Sequence, residues 1–171
     1  AIIKLLKSKF PNKVIISKIE NYLGLKNVDL ISKFSDIVMI DRGDLSAEIG
    51  NHKLFESVIK ICKETKDQGK PIIIATENFE SMITKKEPTK SEIISLEFNS
   101  ILKSDHIMLS DETATSKNWL NTLNWIKKYN SQSLSIKKIN LSEKYFNQEK
   151  IEKYLDFENK SNIWSSIKFN S

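Results

Sequence analysis

Ile37-Val38-Met39-Ile40-Asp41-Arg42-Gly43-Asp44 sets a short, almost unbroken apolar run against a cluster of charge built around a glycine. A run this brief, rich in β-branched side chains, is expected for a parallel strand buried on both faces. The charges then lie at the strand's C-terminal end, where Gly43 lets backbone amides come close to an anionic ligand. Three other runs have the same form: Val14-Ile15-Ile16 before it, and Ile72-Ile73-Ile74-Ala75 and Ile107-Met108-Leu109 after it.

Helical patterns fill the spaces between these runs. Residues 27–34 predict a short helix, and Phe55, Val58, Ile59 and Cys62 recur at helical spacing. Gly69 reads as the stop of that second helix, and Pro71 opens the next strand. Thr89-Lys90-Ser91-Glu92 is a capping-box pattern, followed by an apolar face of Ile93, Ile94, Phe98, Ile101 and Leu102. Leu120, Leu123 and Ile126 repeat the pattern after the last run, where Trp119 and Trp125 are expected to pack. Four β-α units in a row predict an α/β fold with a parallel sheet and right-handed crossovers. Such a set suits half of an eight-stranded barrel or a small open sheet. Residues 1–130 are expected to form this domain. Residues 131–171, dominated by Asn, Ser and Lys, read as a polar extension, partly ordered or disordered. The scattered aromatics Tyr145, Phe146, Tyr154, Phe157 and Trp164 would suit a docking segment, and 149–155 a turn or two of helix.

Composition narrows the classes of function. Hydrophobic residues at 39% and charged residues at 29% are ordinary for a water-soluble globular chain. No stretch approaches the roughly 20 apolar residues needed to span a bilayer, so no membrane is expected. The net charge of +5 comes from interspersed Lys, Glu and Asp rather than a basic stripe, which argues against nucleic acid. The single cysteine, Cys62, excludes an internal disulfide framework and suits a cytoplasmic setting. Ala1-Ile2-Ile3-Lys4 carries neither a signal-peptide pattern nor an initiator Met, which predicts a processed product or a fragment. Arg is so scarce that Arg42 is the sole one among 27 basic residues, and Gly occurs only four times. Two such rare residues standing together at 42 and 43 call for a local physical reason.

The residues able to carry chemistry gather at the expected strand ends. Lys18 and Glu20 are two apart, so on an extended backbone an ammonium and a carboxylate point to the same side. Asp44 offers a second carboxylate, Thr76 follows the third run, and Ser110-Asp111-Glu112-Thr113 follows the fourth. Carboxylates from neighbouring strand ends suit Mg²⁺ or Mn²⁺, which keep positions for substrate oxygens and water. A nearby Lys can stabilise a transferring phosphoryl group or an enolate. Spacing alone leaves a second reading open, in which Lys18, Glu20, Arg42 and Asp44 are an ion-pair network closing one end of the sheet. His52 and His106 lack partners at metal-ligand spacing.

Six blocks together resemble the pyruvate kinase family. They are Ser17-Lys18-Ile19-Glu20-Asn21 with Gly24 and Asn27; Asp36 with Arg42-Gly43-Asp44-Leu45 and Glu48-Ile49; Gly69-Lys70-Pro71 leading to Ala75-Thr76; Glu80-Ser81-Met82; Pro88-Thr89-Lys90-Ser91-Glu92; and Met108-Leu109-Ser110-Asp111-Glu112-Thr113-Ala114. They keep the family's order and approximate spacing over residues 13–116, and more loosely to 128. The resemblance implies the last four βα units of a TIM-type (β/α)8 barrel. It also implies phosphoryl transfer between phosphoenolpyruvate and ADP, giving pyruvate and ATP. Lys18 matches the lysine that stabilises the transition state. Glu20 and Asp44 match the ligands of the divalent ion, Mg²⁺ or Mn²⁺. Gly43, Asp44 and Thr76 match positions that contact the substrate carboxylate, and Arg42 is expected to orient the loop. The K⁺ site, the phosphoryl contacts and much of the nucleotide site would lie in strands before Ala1, leaving this chain with half a site. Family members are usually homotetramers, so a homo-oligomer, or association with the rest of the barrel, is expected.

Departures from the family pattern accompany the resemblance. Asp41 stands where a small apolar residue is usual, Glu77-Asn78 replaces Gln-Met, and Lys90 replaces an arginine. Asp111 replaces a glycine, a problem if that backbone needs a positive φ, and Gly50 stands in place of a proline. These leave two alternatives: a non-catalytic binding or scaffold module, or a metal-dependent lyase or aldolase acting through a pyruvate enolate.

Overall fold

In the computed structural model, which describes residues 2–132, each expected apolar run contributes to one strand of a parallel sheet. After a first helix α1 (Ile2–Lys9) come β1 (Ile16–Ile19), α2 (Tyr22–Lys26), α3 (Val28–Phe34) and β2 (Ile37–Asp41). Then follow α4 (Arg42–Ile49), α5 (Asn51–Asp67), β3 (Ile72–Ala75), a 3₁₀ turn (Glu80–Ile83) and α6 (Lys90–Ile101). The described part ends with β4 (His106–Ile107), α7 (Asp111–Thr115) and α8 (Trp119–Gln132). The expectations for 149–155 and for the aromatics from Tyr145 onward fall outside the described residues. Residues up to Trp125 form one compact unit.

The sheet order is β1-β2-β3-β4, all parallel. The register sets Lys18 opposite Met39 and Asp41 opposite Ala75. One face of the sheet builds the core: Ile19, Val38, Ile40, Ile72 and Ile74 are buried with Val28 of α3, Leu45 of α4 and Val58, Ile61 and Cys62 of α5. Each such aliphatic side chain contributes about 1.5–3 kcal/mol relative to exposure. Burial on both faces was the expectation, and here the structure differs. Ile37, Met39 and Ile73, on the opposite face, are only half-buried. Ile16 of β1 is 45% exposed and Val14 64%. β1 also starts two residues later than its apolar run, because Asp36 captures the Ile15 amide (2.8 Å) just ahead of the ladder.

The helices follow their patterns with shifts. α5 buries Val58, Ile61, Cys62 and Thr65, whereas Phe55 turns outward at 57% exposure and stacks on Phe98 of α6. Gly69 takes a left-handed φ of 65° just past α5, as a helix stop requires. The Thr89–Glu92 capping box forms in full, and Glu92 also accepts from the Ser81 amide and hydroxyl, tying α6 to the 3₁₀ turn. In α6, however, Ile94 and Ile101 are exposed and the one fully buried residue is Asn99. Trp119, Leu120 and Leu123 are also exposed, contrary to a packing role, and Thr122 is buried instead. Trp125 does pack, tilted against Phe79 at 5.6 Å, and donates to Glu87. Asp111 opens α7 without a positive φ, so the loss of glycine there strains nothing. Gly50, between α4 and α5, adopts φ 86°, which a proline cannot reach.

Candidate active site

Strand parity assembles the charged cluster. Alternate residues of a strand share a face, so Lys18 of β1 and Glu20 just beyond it lie on the side of Met39 and Asp41 in β2. Asp41 sits one alternation beyond Lys18's partner and closes a diagonal contact. The Lys18 ammonium lies 2.7 Å from Asp41 Oδ2, 2.8 Å from Glu20 Oε2 and 3.6 Å from Asp44 Oδ2. One cation therefore faces three carboxylates. Hydrogen bonds to Asp41 and then Glu20 push the Lys18 pKa above the usual lysine range, keeping it charged. Asp41 is almost wholly buried. Burial alone would raise its pKa, but hydrogen bonds from Lys18 and the Asp44 amide outweigh it and hold the carboxyl below its usual range.

Carboxylate oxygens of Glu20, Asp41 and Asp44 all come within 4.8 Å of one another. An all-oxygen set of this spacing, already bearing a cation, suits a hard divalent ion. Glu20 and Asp44 were anticipated as ligands from the sequence. Asp41 was seen there only as a departure, yet it is the buried centre of the group.

Asp41 also caps α4. Its Oδ1 accepts the Asp44 amide (3.2 Å) and the Thr76 hydroxyl (3.2 Å). Thr76 Oγ1 in turn accepts the Gly43 amide at 3.1 Å and lies 2.7 Å from the Ala75 carbonyl. Gly43, Asp44 and Thr76 are thus brought together as expected. A Cβ on Gly43 would stand at ordinary contact distance, 3.6 Å from Asp41 Oδ1 and 3.7 Å from Thr76 Oγ1. Nothing in the surrounding protein forbids it.

Arg42 does not join the ion-pair cluster. Its guanidinium crosses to the end of β3 and donates to the Ala75 and Thr76 carbonyls, to Asn78 Oδ1 (3.0 Å) and to Ser95 Oγ (3.1 Å). That segment needs holding, since Thr76, Glu77 and Phe79 all adopt left-handed φ values of 52–61°. Such conformations cost non-glycine residues about 1–3 kcal/mol each. Asn78, buried, completes the tie by donating to the carbonyls of Ile74 and Met108, linking β3 to the end of β4. Burial pulls the Arg42 pKa down, against the raising influence of Glu77, Glu80 and Asp41. The fourth strand end serves the fold: Ser110 caps α7 by accepting from the Thr113 amide.

The family model "Pyruvate kinase, barrel domain" matches residues 1–123. A pyruvate kinase of Encephalitozoon cuniculi is 44% identical over 112 residues, which is 65% of this chain and 25% of that protein. Human pyruvate kinase PKLR is 46% identical over 101 residues, 58% of this chain and 17% of the relative. The cytosolic isozyme of Nicotiana tabacum is 40% identical over 112 residues, 65% of this chain and 22% of its own. The crystal structure of a pyruvate kinase from Cryptosporidium parvum aligns with a TM-score of 0.66 at 33% identity, covering 71% of this chain and 27% of that one. The chain thus spans a quarter or less of these curated relatives, and its parallel sheet with helices corresponds to part of their barrel.

Proposed function

The chain belongs to the pyruvate kinase family through its barrel domain, and from that premise we propose that it contributes half of a site for phosphoryl transfer between phosphoenolpyruvate and ADP. The observation that carries this reading is the convergence of Glu20, Asp41 and Asp44 around the Lys18 ammonium at two adjacent strand ends. Glu20 and Asp44 are the residues that would hold Mg²⁺ or Mn²⁺. When bound, such an ion supplies Lewis-acid charge to phosphoryl and enolate oxygens. Lys18 adds a fixed positive charge where negative charge develops. The Gly43 and Asp44 amides and the Thr76 hydroxyl orient the substrate carboxylate, and Arg42 keeps that cradle in register.

The remaining family requirements are assigned by resemblance: K⁺ and most nucleotide contacts to barrel segments outside this chain, and oligomerisation, or pairing with those segments, to complete the site. Among the described residues no helix is long and apolar enough to cross a membrane. A cytoplasmic location is proposed from the family and from the cytosolic relative.

Calorimetric titration of Mn²⁺ into the full chain, with and without phosphoenolpyruvate, tests the reading. Binding is expected that Glu20→Ala and Asp44→Ala each abolish and that phosphoenolpyruvate strengthens. Folded protein that takes up no Mn²⁺ refutes it. A second reading, a non-catalytic relative that binds metal but not substrate, is favoured by Asp41, whose charge faces the anion's position. Mn²⁺ binding indifferent to phosphoenolpyruvate would support that alternative.

A further inference from the structure

Each donor assigned above to the substrate carboxylate is engaged within the protein. The Asp44 amide goes to Asp41 Oδ1 and the Gly43 amide to Thr76 Oγ1. The Thr76 hydroxyl proton is shared between Asp41 Oδ1 and the Ala75 carbonyl. Lys18 is held by Asp41 Oδ2. A carboxylate that accepts from a helix-start amide and a threonine hydroxyl while its other oxygen meets a lysine makes the contacts expected of a small bound carboxylate. Here that carboxylate belongs to the chain.

We propose that the Asp41 side chain is an internal surrogate for the substrate carboxylate, filling the cradle of Asp44 N, Thr76 Oγ1 and Lys18 Nζ in the unliganded site, so that a small carboxylate must displace it and binds more weakly than it would to a vacant cradle. The inference rests on the reading of the site as a metal-and-carboxylate site. Asp41 acts in two ways. Its oxygens occupy the donors, and its charge repels a second carboxylate brought to the same place. Its burial makes the first effect persistent, because a side chain anchored on both oxygens and packed at a strand end cannot swing into solvent without leaving the Asp44 amide uncapped. Glu20 and Asp44, both more exposed, remain available to a metal.

The test uses oxalate, a small dicarboxylate, titrated calorimetrically into the full chain in saturating Mn²⁺, with Mn²⁺ affinity measured separately. Wild type, Asp41→Asn and Asp41→Ala are compared. Asp41→Asn removes the charge but leaves an oxygen on the Asp44 amide. Asp41→Ala removes both and is expected to tighten oxalate by at least about tenfold, more than the Asn variant gains. Should the Ala variant not fold, Asp41→Gly takes its place, since glycine is a better N-cap than alanine. A gain for the side-chain deletion no larger than that of Asp41→Asn, with Mn²⁺ still bound, overturns the proposal and leaves the metal site standing. Mn²⁺ and oxalate binding absent from all folded chains overturns both this proposal and the reading beneath it.

Discussion

Arg42→Lys keeps the charge and discards the fork. The guanidinium reaches four acceptors on two segments: the Ala75 and Thr76 carbonyls and Asn78 Oδ1 at the left-handed end of β3, and Ser95 Oγ in α6. A lysine nitrogen at that distance from the backbone can serve one of them well, and the Thr76 carbonyl is the natural choice. Ser95 is half-buried and water can replace its partner, so it adds little. The Ala75 carbonyl and Asn78 Oδ1 then lose a charged donor; at roughly 1.5 kcal/mol each this sums to about 3 kcal/mol. For a chain of this size that is roughly 6–12 °C in Tm. Arg42→Ala also loses the Thr76 contact, for about 4–5 kcal/mol in total. The assay is equilibrium urea unfolding of the full chain, followed by far-ultraviolet circular dichroism and tryptophan fluorescence. A lysine variant within about 1 kcal/mol of wild type would refute the argument, because the fork would then be holding nothing that a point charge cannot.

Acid lability follows from four carboxylates. Lys7 first, then the Ile15 amide, holds Asp36 below its usual range; for Asp105 burial opposes the shift, but Lys66 and the Ile72 amide win, and Glu92 and Asp41 are lowered likewise against burial. A depressed folded pKa adds stability that is complete above the unfolded value and lost as pH falls through the folded one. Tm should therefore hold near neutrality and drop below about pH 4, and equal Tm values at about pH 3 and pH 7 would contradict this. Cys62, buried and pushed up to about 12, should react with a thiol reagent only as fast as the chain unfolds; immediate reaction in native buffer would contradict its burial. The outer edge of β1, with Val14 and Ile16 exposed, should make the sedimentation mass rise with concentration, whereas a clean monomer at all concentrations would count against an adhesive edge.

Central strands were more legible than edges. Residues 37–40 and 72–75 are apolar because the core needs them, so run and strand nearly coincide. At β1 the ladder's start is decided by Asp36, a residue 20 positions past the strand's first, and no local pattern discloses it. α2 escaped notice because Gly24 interrupts a short segment whose real signal is Asn21 accepting the Gly24 amide. The pairing of Lys18 with Glu20 was legible, since parity within one strand is a local property. The placement of Asp41 was not, because it depends on how β1 registers against β2. Aligning the first charges of the two runs gives the correct face but sets Lys18 opposite Asp41, two residues from the observed Lys18–Met39 register. Arg42's rarity announced a structural reason without its object, since the acceptors lie 33 to 53 residues away.

Asp36 and Asp105 repeat one device at the start of the sheet. Each binds a lysine from a preceding helix, Lys7 at 2.5 Å and Lys66 at 2.6 Å, and each accepts the amide of a residue at the head of the neighbouring strand, Ile15 or Ile72. Those two amide protons are held by a carboxylate rather than by the ladder. In hydrogen exchange they form a class of their own, with lifetimes that follow the ionisation of Asp36 and Asp105 while ladder amides such as that of Val38, bonded to the Pro71 carbonyl, follow the opening of the sheet. The chain thus carries two internal clocks, one set by acid at its strand heads and one set by unfolding in its core.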